Sequence, residues 1–178
     1  MAGPVDELKA QHDALLEHLK EDPSLLLSTG VVLSKALLLA GASELEMDVQ
    51  RIVVEYFYEV THENHTATEF VSKAAVARHY HTFFDWDSKN VNRFFSLFGP
   101  EFKEYASTRV REDPTLASNI EGFLRIGSER NRLVHGNFAA YSLTLTSDEI
   151  FDFYVAAIGF RDALPALLRG TEPEGSSD

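Results

Sequence analysis

The chain has 178 residues, a hydrophobic fraction of 44% and no cysteine. That suffices for one domain with its own apolar core, and it excludes disulfides, thiolate metal sites and cysteine nucleophiles. The formal net charge of −12 opposes indiscriminate contact with nucleic acid, whose phosphates are met by lysine and arginine. The acid excess sits at the two ends. Residues 65–145 carry 9 acids and 10 bases, so this middle stretch alone can face a phosphate backbone without strong repulsion. The start, MAGPVDELKAQHD, has no basic segment followed by a long apolar one, which argues against a signal peptide. The most apolar stretch, residues 31–40, is about half the length of a bilayer span. The expectation is a soluble, cytoplasmic protein with no membrane partner.

Helical periodicity dominates the chain. Residues 5–20 place Leu8, Leu15, Leu16 and Leu19 on one stripe, and Asp22-Pro23 stops that helix. Residues 24–63 read as one long helix or two stacked ones, apolar nearly all round and so covered on several sides. Gly30 and Gly41 are the expected bends, each costing about 1 kcal/mol in a helix interior. A third helix over 66–84 is expected to be capped by Thr66 or Thr68. FFDWDSKN (83–90) reads as a turn, 90–98 as a short aromatic helix closed by Gly99-Pro100, and 101–110 as another short helix. Residues 114–135 form a helix with proline at its start and Gly136 as the expected left-handed residue at its end. After a loop over 137–146, a last helix runs to residue 168, bent at Pro165. YSLTLTS (141–147) is the sole strand candidate, and it is short. The expected class is all-α: an up-down bundle of four to six helices at 24–168, an N-terminal helix within 1–23, and a disordered acidic tail at 169–178.

The densest polar chemistry is SERNRLVHGNF (128–138). Phe123, Ile126, Leu133 and Val134 read as core-facing. Asn131 and His135 are four apart and share a helix face, whereas Arg130 and His135 are about 140° apart around the axis. Arg130 must therefore reach round on its long stem or find its partner on another element or another protomer. Arg132 reads as solvent-facing. His135 lies at the negative end of the helix dipole, where a cation is favoured, and imidazole titrates near neutrality. An imidazole beside a guanidinium suits phosphodiester cleavage by a 2′-hydroxyl: the first moves a proton, the second binds the phosphate as its charge grows. Asn131 can orient the histidine or contact phosphate. This set requires no metal or other cofactor. A cationic last turn followed by glycine is also ordinary helix punctuation.

RNRLVHG (130–136) resembles the Arg-x4–6-His signature of the HEPN superfamily of helical domains. LLLAGASELEMDVQRIVVEYF (37–57) is similar to that superfamily's long, small-residue-rich acidic helix. NRFFSLFGPEF, then the motif helix, then TSDEIFDFYVAAI resembles its RiboL-PSP-type branch. The resemblance implies a bundle that dimerises and brings two motifs together, with Arg130 and His135 as the catalytic pair and Asn131 in support. It further implies a metal-independent endoribonuclease acting on RNA, as a toxin or defence effector with an antitoxin or regulatory partner. The alternative it carries is a non-catalytic module that binds RNA, a nucleotide or a protein. Some antitoxin-paired members have a tyrosine two residues after the histidine; Asn137 stands there in this chain.

Two weaker features remain. His62 and His65 have a metal-compatible spacing with Glu59 or Glu63, but no third firm ligand is evident and the stretch reads as a helix end. The aromatic group Phe83, Phe84, Trp86, Phe94, Phe95 and Phe98 can stack bases, although at this density it reads first as core.

Overall fold

Proline and an acidic cap set most helix starts, as local rules require. In the computed structural model, which describes residues 3–170, α1 (Pro4–His18), α2 (Pro23–Val60), α6 (Pro100–Glu112) and α7 (Pro114–His135) all open on a proline. The Asp22 and Asp113 carboxylates accept hydrogen bonds from the Leu25 and Leu116 amides at 3.0 and 2.9 Å. α8 (Ser147–Arg169) begins with a reciprocal cap between Thr146 and Glu149, the pairing that satisfies two free amides at once.

Between α2 and α6 the chain is more broken. α3 (His65–Val71), a π-helical turn (Ser72–Val76) and α4 (Ala77–Phe83) run as one continuous helix, followed by the short α5 (Asn92–Ser96). Its cap is Asn64, whose side chain accepts from the Ala67 amide at 3.0 Å, not Thr66 or Thr68. The chain reverses just before it through His62 and Glu63, at φ 53° and 61°. That left-handed turn lets the helix start earlier than its threonines suggest. Counting α3 to α4 as one, the described residues hold seven helices and no strand. The fold is all-α, with α1 preceding six helices that span residues 23–169.

α8 lies along both α7 and α2, and α1 packs on α2. Close approach is built from glycine. A Cβ on Gly122 would stand 2.7 Å from Ala156 Cβ, and one on Gly41 would stand 3.0 Å from Tyr154 Cδ2. Gly41 is therefore a contact point for α8, and α2 runs as one helix through Gly30 and Gly41. α8 likewise continues through Pro165. Over one 18-residue window α2 is long and apolar enough, by composition, to cross a bilayer, more than the ten-residue stretch suggested. Its middle is nonetheless a core helix: Leu37, Leu38, Leu45, Val49 and Val53 are buried.

The rings of Phe84, Phe94, Phe123 and Phe160 form a chain of contacts at the centre, with centroids 4.9–5.1 Å apart, inside the range where aromatic pairs attract. Phe83 and Phe95 are buried with them. Several expected facings shift. Val134 is exposed although Phe123, Ile126 and Leu133 are buried. On α1 the inward line is Val5, Leu8 and His12, with Leu15 exposed. Gly136 is extended at φ −85°, ψ −178°, and the left-handed cap is Gly170 at the end of α8, φ 69°. Of the tail expected to be disordered, Arg169 ends α8 and Gly170 caps it; residues 171–178 lie outside the described residues.

Candidate active site

The last turns of α7 line a cavity of 310 Å³ bounded by α2, α4 and the turn after α4. Leu45, Phe123 and Ile126 give it an apolar lining, Trp86 a side wall, and Glu46, Tyr80, His81, Arg130, Asn131 and His135 its polar groups. Arg130, Asn131 and His135 thus open onto one space. Arg130 and Asn131 are half-buried and His135 is exposed at the mouth. Arg130 and His135 both line that space within one chain, although they stand about 140° apart around the helix axis.

Their pairing differs from the simplest expectation. Arg130 Nη1 donates to Asn131 Oδ1 at 3.1 Å, and Arg130 Nη2 lies 3.8 Å from Glu46 Oε2 across the cavity. Among the described residues no hydrogen bond joins His135 to Asn131 or to Arg130. Asn131 therefore steadies the guanidinium rather than the imidazole. Glu46 Oε1 accepts from Gln50 Nε2 at 3.2 Å. Behind them lies the buried Tyr80. Burial raises its phenol well above the ordinary value, the Glu46 charge adds to that, and Arg130 opposes it.

Trp86 is held in place by its neighbours. Its indole N–H donates to the His81 carbonyl at 3.1 Å, and its ring lies 5.0 Å from Phe84 and 5.7 Å from Phe123. A Cβ on Gly127 would overlap the edge of this ring, so the bare backbone of α7 at Gly127 is what admits it. The six-residue aromatic group thus divides: Phe83, Phe84, Phe94 and Phe95 are core, Phe98 packs partly buried against them, and Trp86 faces the cavity. His62 and His65 join no set of three or more side chains able to hold a metal among the described residues.

The family model for the RiboL-PSP-HEPN domain matches residues 6–168. The chain belongs to the RiboL-PSP-HEPN family. No curated protein and no solved structure matches it. The match begins inside α1, so the HEPN model takes in that helix along with the bundle.

Behind the motif this HEPN domain keeps a buried carboxylate that sequence reading passed over. Glu129 is only 2% exposed. Its Oε1 lies 3.2 Å from Arg125 Nη2 and 3.4 Å from Arg132 Nη1, and its Oε2 accepts from the Tyr141 hydroxyl at 2.7 Å. Burial and this hydrogen bond to Glu129 raise the Tyr141 phenol above its usual range. Arg132 and Ser128 both reach Asp87, at 3.5 and 3.4 Å, tying the turn after α4 to α7. Lys35, 4% exposed, donates from Nζ to the Phe138 carbonyl at 2.7 Å and sits 5.0 Å from that ring's centroid. The loop following His135 is thus held at Phe138 and at Tyr141. The helical spacing of Arg125, Glu129 and Arg132 was visible in RIGSERNR; its burial was not. Nothing in the local sequence marks Glu46, Tyr80 or Lys35 as neighbours of the motif, because each is brought there by packing.

Proposed function

We propose that this HEPN domain is a metal-independent endoribonuclease with Arg130 and His135 as its catalytic pair and Asn131 as the residue that steadies the arginine. The observation that carries the reading is that Arg130 and His135 open onto one cavity at the end of α7. In this reading His135 takes the proton of a ribose 2′-hydroxyl as its oxygen attacks the adjacent phosphorus. Arg130 donates to the non-bridging oxygens, whose charge grows in the transition state. The P–O5′ bond breaks, and the 5′-oxygen leaves with a proton from the imidazolium or from water. The products are a 2′,3′-cyclic phosphate and a 5′-hydroxyl. A second copy of the chain completes the site as a homodimer in the cytoplasm, and an antitoxin or regulatory protein restrains it as a toxin or defence effector.

The test is cleavage of RNA in EDTA by wild type, Arg130→Ala and His135→Ala, with sedimentation to give the oligomeric state. Each substitution is expected to slow cleavage by about 100-fold or more while leaving helix content unchanged. A wild-type protein that cuts no RNA, or variants that cut as fast, would remove the nuclease. A second reading is a non-catalytic module that binds RNA, a nucleotide or a protein. It is favoured by the engagement of Arg130 with Asn131 and Glu46. Binding without cleavage, weakened by the same substitutions, would establish it.

A further inference from the structure

Phosphodiester cleavage uses the mouth of the cavity and leaves its interior without a role. Behind Arg130 and His135 stand two aromatic rings, Trp86 and Phe123, with Leu45 and Ile126 beside them and Glu46 and Tyr80 as polar groups. A largely apolar cavity with a few fixed polar groups is the form that small ligands occupy. Single-stranded RNA offers such ligands, because its unstacked bases pack on aromatic side chains and are read along their Watson–Crick edges.

The polar groups narrow the choice of base. Glu46 as a carboxylate only accepts, and its contacts to Gln50 at 3.2 Å and Arg130 at 3.8 Å leave lone pairs free, since an ionised carboxylate has about four. The Tyr80 hydroxyl is a donor for which no partner is found among the described residues. Guanine presents N1–H and N2–H side by side, with O6 next to them. Those two donors match one carboxylate, and O6 matches a phenol. Adenine and cytosine put an acceptor nitrogen beside their amino group, which a carboxylate repels. Uracil has one N–H between two carbonyls.

We propose that the cavity is a guanine pocket, in which Glu46 accepts from N1–H and N2–H, Tyr80 donates to O6, and Trp86, with Phe123 packed beside it, forms the aromatic wall against which the base lies. Glu46 is then the residue that sets base specificity. The pocket stands by itself; only its consequence for cleavage rests on the nuclease reading. With guanine inside, its ribose 3′-phosphate reaches the mouth at Arg130 and His135, so the RNA is cut on the 3′ side of guanosine.

Trp86 is the chain's single tryptophan, so its emission reports occupancy without any need for turnover. Full-length protein is titrated with 3′-GMP, 3′-AMP, 3′-CMP, 3′-UMP, guanosine and inorganic phosphate, and the same series is run on Glu46→Gln and Tyr80→Phe. The expected result is saturable quenching by 3′-GMP and guanosine, with 3′-GMP at least about tenfold tighter than the other nucleotides and that preference lost in Glu46→Gln. Tyr80→Phe keeps the preference and binds more weakly; circular dichroism checks that both variants fold. Guanine selectivity in a protein that cuts no RNA supports the pocket and removes the nuclease. Cleavage after all four bases, unchanged in Glu46→Gln, keeps the nuclease and overturns the pocket. Quenching by phosphate alone, by all nucleotides equally, or by none also overturns it.

Discussion

Alanine in place of Gly30 and of Gly127 is expected to move stability in opposite directions. Both glycines lie in helix interiors, in α2 and α7, so both replacements gain about 1 kcal/mol of helix propensity. At Gly30 the new methyl finds Leu16 Cδ2 at 3.8 Å, an ordinary contact, and the gain stands. At Gly127 the methyl overlaps Trp86 Cζ3 and Cε3 and comes 2.9 Å from Cη2. The ring is restrained, because its N–H is bonded to the His81 carbonyl and it packs on Phe84 and Phe123, so it can give way only into the cavity it lines. Overpacking of this kind costs about 1–3 kcal/mol, and an overlap this deep belongs at the upper end. The net loss is then about 2 kcal/mol. At about 2–4 °C per kcal/mol for a chain of this size, Gly30→Ala raises the Tm by about 2–4 °C and Gly127→Ala lowers it by about 4–8 °C. Scanning calorimetry gives both numbers, and Trp86 emission shifts to the red in Gly127→Ala as the ring is pushed towards water. A Gly127→Ala protein that melts higher with unchanged emission would show that Trp86 is not seated against α7.

Three further outcomes are expected. Glu129→Ala leaves the Tyr141 hydroxyl without its acceptor, while Arg125 and Arg132, about half exposed, return to water; the loss is about 1–3 kcal/mol by urea denaturation, and no measurable loss would contradict the buried network. His12 is 3% exposed with neither ring nitrogen bonded, and burial lowers its pKa, with Lys9 adding to that and Asp13 and Asp148 opposing it. The unfolded chain therefore takes up the proton first, so wild type loses stability as pH falls below about 6.5; His12→Leu should flatten that slope, and denaturation midpoints of equal pH dependence in both proteins would refute it. Lys35→Met removes the tie to Phe138, so the Ala140 and Tyr141 amides, both bonded to the Asn137 carbonyl, should exchange hydrogen about tenfold faster or more. Unchanged exchange there would mean the loop does not depend on Lys35.

Helix starts were readable because their causes are local. Pro114 presets the backbone of its own first turn, and the apolar period needs no partner to be counted. The Arg130, Asn131, His135 constellation was readable for the same reason, being carried on one helix end. The misreadings have a common origin in contacts between elements. The weak helix propensity of Gly41 is legible in the sequence, whereas its role as the place where the Tyr154 ring of α8 approaches α2 is not. Val134 looked buried from its neighbour Leu133, but which face of α7 is covered is decided by α2, α6 and α8 packing against it, and Val134 is left exposed.

The amino-acid order alone settled an all-α chain, the extent of its main helices and the polar turn at the end of α7, since each follows from interactions across three or four residues. Tertiary structure decided that Glu46, Tyr80 and Trp86 stand around that turn, that Asn131 holds Arg130, and that Glu129 is enclosed with Arg125, Arg132 and Tyr141. Those groups lie up to 84 residues from Arg130 along the chain, and helical periodicity carries no information over such a separation. Only close packing of α2, α4 and α7 brings them to one cavity.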